Sequence, residues 1–296
     1  MLPPQKSINT EGCGTSSGRG ILGRTTGSPP PYPGAPPPFS SPTPEARLSG
    51  TDERVVVVSD PHLGRTPPRP TDAGFHEFLR AVPDLGGHLV INGDLFDFWF
   101  EYRRVIPRHA FPTLAALAEI VRRGVGLTVV GGNHDRWGGD FWQRDLGARY
   151  SSGGLDVTLG GRRCWLHHGD GLSEQHWRGR LMHTITRHPL TVRAFRALHP
   201  DLGFRLVDRL YGSLREEELT PERRRQVVDG QRRYALRLLA ERPELDLVVL
   251  SHTHTACLEE VEPQRWYLNP GAWNVGQCYA LLDADGPKLR SWPDEA

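Results

Sequence analysis

The chain has little of what would place it across a membrane, in a disulfide scaffold or on nucleic acid. No run near 18 consecutive apolar residues occurs among its 296 residues, and the N terminus lacks the apolar stretch of a secretory signal, so neither a membrane span nor export is expected. Cysteine is scarce: Cys13, Cys164, Cys257 and Cys278 show no CxxC spacing, which excludes a zinc ribbon or thioredoxin-like motif and suits a reducing cytosol. A charge excess is also missing, since 36 Lys and Arg against 35 Asp and Glu leave a net +1, and a dedicated nucleic-acid binder is not expected. No protein-partner motif is evident either.

Residues 1–50 have almost no aliphatic clusters. PPPYPGAPPPFSSPTP sits there in a Gly/Ser/Thr-rich context, a composition expected to be disordered. Residues 51–296 are long enough to bury a substantial core and read as one domain. Val55 to Val58 is a continuous β-branched run, as in a strand covered on both faces. A helix is expected from Thr71 and Asp72, with the stripe Phe75, Phe78, Leu79 and Val82, ending before Pro83. Strands are expected at His88 to Asn92 and Val125 to Val130, with a helix over 107–123 between them, so strand and helix alternate. Short β segments follow near 148, 155–159 and 163–167. From 172 to 241 the strand pattern gives way to amphipathic helical stretches, a helical insertion, before strands return at 245–250, 257–261, 265–268, 278–282 and 288–292.

Five of the apolar strands run straight into polar clusters. Val55 to Val58 stops at SDPH, Leu89 to Asn92 at GDLFD, Leu127 to Val130 at GNHD, Cys164 to Leu166 at HHGD, and Leu245 to Leu250 at SHTH. In open α/β sheets ligands bind outside the carboxyl ends of the strands, so one site built from five loops is expected. Asp60 and His62 are two apart, as are His252 and His254, and in extended backbone such a pair projects to one side and grips one ion. Oxygen and imidazole donors without sulfur suit manganese, iron or zinc in a reactive site better than a structural zinc. Asp94 is the natural carboxylate to be shared by two ions about 3.5–4 Å apart, an arrangement that lowers the pKa of a shared water and orients a phosphoryl group. Hydrolysis of a phosphate ester or anhydride follows from that chemistry.

DPH, GDLFD, GGNHD, HGD and SHTH occur in the order and spacing of the calcineurin-like metallophosphoesterases, which the chain resembles from Arg54 to Asp283. The fuller strings GDLFDFWFEY, HHGDGL and YLNPGAW look like the UDP-2,3-diacylglucosamine pyrophosphohydrolases of lipid A synthesis. Two positions depart from that group: His134 stands where it has Arg, and Ser251 where it has Gly. The resemblance implies an α/β fold, a four-layer αββα sandwich with a helical lid insertion at about 172–241. It implies two divalent ions, most naturally Mn2+, one held by Asp60, His62, Asp94 and His254 and the other by Asp94, Asn133, His168 and His252. His134 would then contact phosphate and protonate the leaving group, with Asp97 fixing its orientation.

The implied substrate is UDP-2,3-diacylglucosamine, a UDP-sugar lipid cleaved to UMP and 2,3-diacylglucosamine 1-phosphate. Alternatives are a phosphodiesterase or nucleotide-sugar pyrophosphatase of looser specificity, favoured by GNHD over GNRD, and a non-catalytic scaffold on the same fold. Dense arginine in the insertion, including Arg223, Arg224 and Arg225, suits either a solvated helix face or an anionic membrane surface, which would put the enzyme peripherally on the inner face of the inner membrane. The remaining histidines, His76, His88, His109, His176, His183, His188 and His199, are read as ordinary surface or core residues. His167 faces away from His168 by strand alternation. Trp99, Phe100 and Tyr102 fit either a substrate groove or aromatic core packing.

Overall fold

The computed structural model describes residues 54–65, 68–172, 184–213 and 220–293; the Pro-rich stretch 1–50 lies outside the described residues. Strand β1 (Val55–Val58) pairs in parallel with β2 (His88–Asn92), and β2 with β3 (Gly126–Val130). Strands β4 (Arg149–Ser151), β10 (Cys278–Asp283) and β11 (Gly286–Ser291) complete a six-stranded sheet in the order β11-β10-β1-β2-β3-β4. A second, five-stranded sheet has the order β5-β6-β7-β9-β8, from β5 (Leu155–Leu159), β6 (Arg162–Leu166), β7 (Leu247–Val249), β8 (Cys257–Glu262) and β9 (Arg265–Asn269).

The β-branched run of β1 shows how the layers arise. Val55 and Val57 join Val90, Leu166, Val249 and Leu268 in a core between the two sheets, whereas Val56 and Val58 point the other way. They pack on helix α1 (Pro70–Leu85) and helix α2 (Phe111–Arg122) through Phe75, Phe78, Leu79, Leu114 and Leu117. A strand buried on both faces has no polar side to present, which is why its sequence does not alternate. A third cluster, Ala235, Leu239, Leu245, Val248, Leu250 and Tyr267, closes the far side of the second sheet. The order is therefore helix, sheet, sheet, helix.

Two expectations about helices change. Helix α1 starts at Pro70 and runs through Pro83 to Leu85 rather than stopping before it. Pro83 falls in the last turn, where its missing N–H removes a single intrahelical bond, and the Gly86 N–H still reaches the Val82 carbonyl at 3.0 Å. At the start, Asp72 accepts a hydrogen bond from the Arg69 N–H at 3.2 Å. The stretch expected as a helical insertion, 172–241, holds helices with different surroundings. Helix α3 (Phe141–Arg144) precedes β4, and helices α4 (Pro189–Ala197) and α5 (Pro200–Ser213) form the described insertion. Helix α6 (Pro221–Glu241) buries Gln231, Ala235 and Leu239 and supplies the outer helical layer of the second sheet. Residues 173–183 and 214–219 of the expected insertion lie outside the described residues. Among the described residues no helix is long and apolar enough to cross a membrane.

Candidate metal centre

The five polar clusters meet, but along the edges of two sheets rather than one. β1, β2 and β3 deliver SDPH, GDLFD and GNHD from the first sheet, and β6 and β7 deliver HHGD and SHTH from the second. Backbone bonds zip the loops together. Asp60 and His62 N–H donate to the Gly93 and Asp94 carbonyls at 3.1 and 3.0 Å, and Ser251 N–H donates to the His168 carbonyl at 2.7 Å. Asn92, the polar last residue of β2, crosses between the sheets through Nδ2 to Ser251 Oγ at 2.8 Å and to the His167 carbonyl at 3.1 Å. That gives Ser251 a partner which a glycine could not offer.

Asp60 and His62 converge in one donor group, whereas His252 and His254 fall in two, His254 beside Asp60 and His62 and His252 beside Asp94 and His168, and the backbone of neither pair is the extended one expected. Asp60, His62, Asp94, His252 and His254 all have φ between 50° and 68°, and they are five of the seven non-glycine residues described with positive φ. Left-handed backbone costs an L residue on the order of 1 kcal/mol or more, and such strain concentrates where a fixed side-chain direction is needed. Two glycines make the crowding possible. A Cβ on Gly132 would lie 2.1 Å from Asp94 Oδ1, and one on Gly93, itself at φ 95°, would lie 2.2 Å from His168 Nδ1.

Three sets of donor atoms lie mutually within 4.8 Å: Asp60, His62 and His254; His62, Asp94 and His134; and Asp94, His168 and His252. Asp94 Oδ2 sits between two imidazoles, 3.7 Å from His62 Nε2 and 3.0 Å from His168 Nε2, while Asp60 Oδ1 lies 3.2 Å from His254 Nε2. Both oxygens of Asp60, Nε2 of His62 and of His168, and Oδ1 of Asn133 are buried without a hydrogen-bond partner. Orphaned buried polar atoms cost roughly 1–3 kcal/mol each, so five in one cleft point to a shared external partner. All are oxygen or imidazole nitrogen, with both oxygens of the Asp60 carboxylate among them; the set fits divalent cations.

The surrounding groups orient these donors. His168 Nδ1 lies 3.1 Å from the Asn92 carbonyl, which can only accept, so the hydrogen sits on Nδ1 and Nε2 faces the carboxylates. His62 Nδ1 lies 3.6 Å from the Asp97 carboxylate, with Arg65 3.5 Å beyond on the other oxygen. Asp97 was expected to orient His134 through its carboxylate; the contact made with His134 Nδ1 is instead the Asp97 backbone carbonyl, at 2.7 Å. The ring of His134 stands edge-on to His62, centroids 4.7 Å apart.

Electrostatics reinforce the cation demand. Burial works against ionising Asp94 and Asp60, yet His168 and the other neighbouring histidines outweigh it, and both carboxyls are held below the usual range, Asp94 far below. In return His168, which burial alone would push down, is raised to about 10 by Asp94 and Asp60. His252 goes the other way, to about 4, through burial and the adjacent His168.

Two supporting residues are given no role by the sequence, Asp135 at the end of GNHD and Gln231 outside any motif. Asp135 accepts from the N–H groups of Gly132 at 2.7 Å and Leu95 at 2.6 Å, tying GNHD to GDLFD, and burial beside Asp94 raises its pKa to about 6. Gln231 of α6 donates to the Ser251 carbonyl at 2.6 Å and accepts from Thr253, Tyr267 and Asn269 at 3.2–3.3 Å, bracing the SHTH loop. Its signal was available: it stands four residues before Ala235 and eight before Leu239, on the buried stripe of its helix. Elsewhere, Trp99 packs in the core against Phe96 and Trp142, while Phe100 and Tyr102 are buried beneath Phe195 of α4. His167 accepts from the Gly169 N–H at 2.8 Å, and His76 and His88 bond to Thr113 and Thr128, all apart from the cluster.

Known proteins resemble this chain in sequence. The chain is 27% identical over 260 residues to a UDP-2,3-diacylglucosamine hydrolase of Porphyromonas gingivalis, covering 81% of this chain and 98% of that one. It is 26% identical over 248 residues to the protein of the same name from Klebsiella pneumoniae, covering 80% and 98%. Among solved structures, the phosphoesterase Yfce from E. coli matches at 19% identity and a TM-score of 0.38, over 82% of this chain and 95% of that one. Residues 53–256 match the profile of the calcineurin-like phosphoesterases, and the chain belongs to that family of metal-dependent hydrolases.

Proposed function

We propose that the protein hydrolyses the diphosphate of UDP-2,3-diacylglucosamine, giving UMP and 2,3-diacylglucosamine 1-phosphate. The observation that carries the hydrolytic part is the cluster of unpartnered oxygen and imidazole donors around Asp94. In this reading Asp60, His62, Asp94 and His254 hold one divalent ion, and Asp94, Asn133, His168 and His252 the other. Divalent ions held by these residues would supply an acidified water as nucleophile and charge to offset the phosphoryl oxygens. Asp94 spans the two positions, Asn92 and Asp97 fix the faces of His168 and His62, and the two left-handed pairs hold their side chains in register. His134, oriented by the Asp97 carbonyl at Nδ1, would give a proton to the oxygen of the departing phosphate. The water oxygen ends on one phosphorus, the P–O bond to the other phosphate breaks, and the leaving oxygen takes up the proton.

The lipid part rests on the relatives' names and on helices α4 and α5. These pack on the aromatic residues after GDLFD, with Phe98 5.9 Å from Phe195 and 5.2 Å from Phe204. Outward they expose Leu190 at 64%, Leu202 at 56% and Leu206 at 44%, beside exposed Arg193, Arg205 and Arg209. Apolar and cationic side chains on one pair of helices suit acyl chains in an anionic leaflet, so reversible attachment to the cytoplasmic face of the inner membrane, with Mn2+ as the working ion, completes the reading. The test is turnover of UDP-2,3-diacylglucosamine beside UDP-glucose with added manganese. Preference for the diacylated substrate supports it; equal rates on both contradict it.

A further inference from the structure

A cavity of about 350 Å³ lies on the insertion side of the histidine cluster, with Arg136, Arg187 and Arg196 in its wall together with Trp137, Ser152 and Val192. Among the described residues no acidic side chain lines it. Arg136 follows His134 by two residues, and its partner Asp170 follows His168 by two, so the cavity adjoins the loops that carry the donors.

The side chain of Arg136 is 4% exposed. Nη2 donates to Asp170, but Nε and Nη1 are buried with no partner. Arg187 reaches the same Asp170 oxygen at 3.3 Å. Arg196 lies over the Phe100 ring at 5.6 Å, and its Nε is also buried without a partner. Asp170 thus meets both Arg136 and Arg187, and among the described residues Arg136 Nε and Nη1 and Arg196 Nε have no acceptor. A buried charged donor without an acceptor is costly, and guanidinium forks match the oxygens of a phosphate group.

We infer that this cavity grips the phosphate of a diphosphate ester that is not attacked, and so selects diphosphates over simple phosphodiesters. The inference rests on the reading that a phosphoanhydride is cleaved at the adjoining cluster. Arg136 and Arg196 are specificity residues in it, and Asp170 holds Arg136 in place.

Competition tests it on the manganese-loaded protein, with hydrolysis of bis(4-nitrophenyl) phosphate as the signal and UDP-glucose as the competitor. Arg196→Gln removes one charged fork; Arg136→Lys keeps a cation opposite Asp170 but removes the unpartnered donors. In each variant the ratio of the UDP-glucose Ki to the KM of the aryl diester is expected to rise about 10-fold or more. Titration calorimetry with UDP-glucose reads the same affinity without turnover. A ratio that does not move in either variant, or a wild type that UDP-glucose neither inhibits nor binds, overturns the inference. Should Arg136→Lys fail to fold, Arg196→Gln decides alone. Failure of the lipid reading shows separately, as absent turnover of the diacylated substrate by the wild type, and leaves the competition result interpretable.

Discussion

His134 Nδ1 lies 2.7 Å from the backbone carbonyl of Asp97, while the carboxylate of the same aspartate lies 3.6 Å from His62 Nδ1. One residue thus serves two histidines through different atoms, and substitution separates them. Asp97→Ala keeps the carbonyl and is expected to act through His62, weakening metal affinity roughly 10- to 100-fold, as loss of a carboxylate behind a ligand histidine does. Excess manganese should restore much of its rate. His134→Ala should keep its metal and lose roughly 10²- to 10⁴-fold in kcat, with no rescue by metal. Metal titrations of both variants, followed by activity, check the split.

Gln231 ties a helix of the outer layer to the SHTH loop through four hydrogen bonds to Ser251, Thr253, Tyr267 and Asn269. Gln231→Leu takes this partner from the buried Tyr267 hydroxyl and leaves Ser251, Thr253 and Asn269 only the bonds they make to one another, and should cost roughly 1–3 kcal/mol in stability. Because His252 and His254 flank Thr253, its apparent metal affinity should fall as well. Denaturant unfolding and metal titration measure the two effects; unchanged metal affinity would confine Gln231 to the fold.

His88 gives a pH dependence away from the cluster. Burial, with Arg149 nearby, lowers its pKa from 6.5 to about 4, and its Nε2 is 2.8 Å from Thr128 Oγ1. The folded state therefore binds fewer protons than the unfolded chain between those values. Stability from this residue is full above about pH 6.5, falls as the pH drops towards 4, and is constant below that. The loss is on the order of 2 kcal/mol, since each unit is worth about 1.4 kcal/mol and the ring is partly solvent-screened. His88→Gln should flatten that part of the stability curve, measured by urea unfolding from pH 7 to pH 4.

Much of this was legible in the chain. The boundaries of β1 and β2 follow directly from β-branched runs that stop at Ser59 and Gly93, and five motifs after five strands name the residues that meet around Asp94. Periodicity could not show that those strands belong to two sheets, because a strand buried on both faces reads alike in either arrangement. The left-handed backbone at Asp60, His62, Asp94, His252 and His254 was hidden, since nothing local demands positive φ of an aspartate or histidine; the packing of the loops imposes it. Asp97 was given its histidine by the resemblance, through its carboxylate, and the structure puts its backbone carbonyl, an atom every residue carries, against His134 Nδ1. The C-terminal half of α6 was read with the insertion because its stripe at Gln231, Ala235 and Leu239 looks the same whether it faces a lid or a sheet.

The central claim is a two-cation centre that shares Asp94, and metal content read together with rate tests it most directly. Purified wild type, reconstituted with manganese and freed of excess, should carry two ions per chain by elemental analysis and lose its hydrolase activity to a chelator. Asp94→Ala, folded by circular dichroism, should carry neither ion and show almost no turnover. An Asp94→Ala protein with wild-type metal content and wild-type rate would contradict the account.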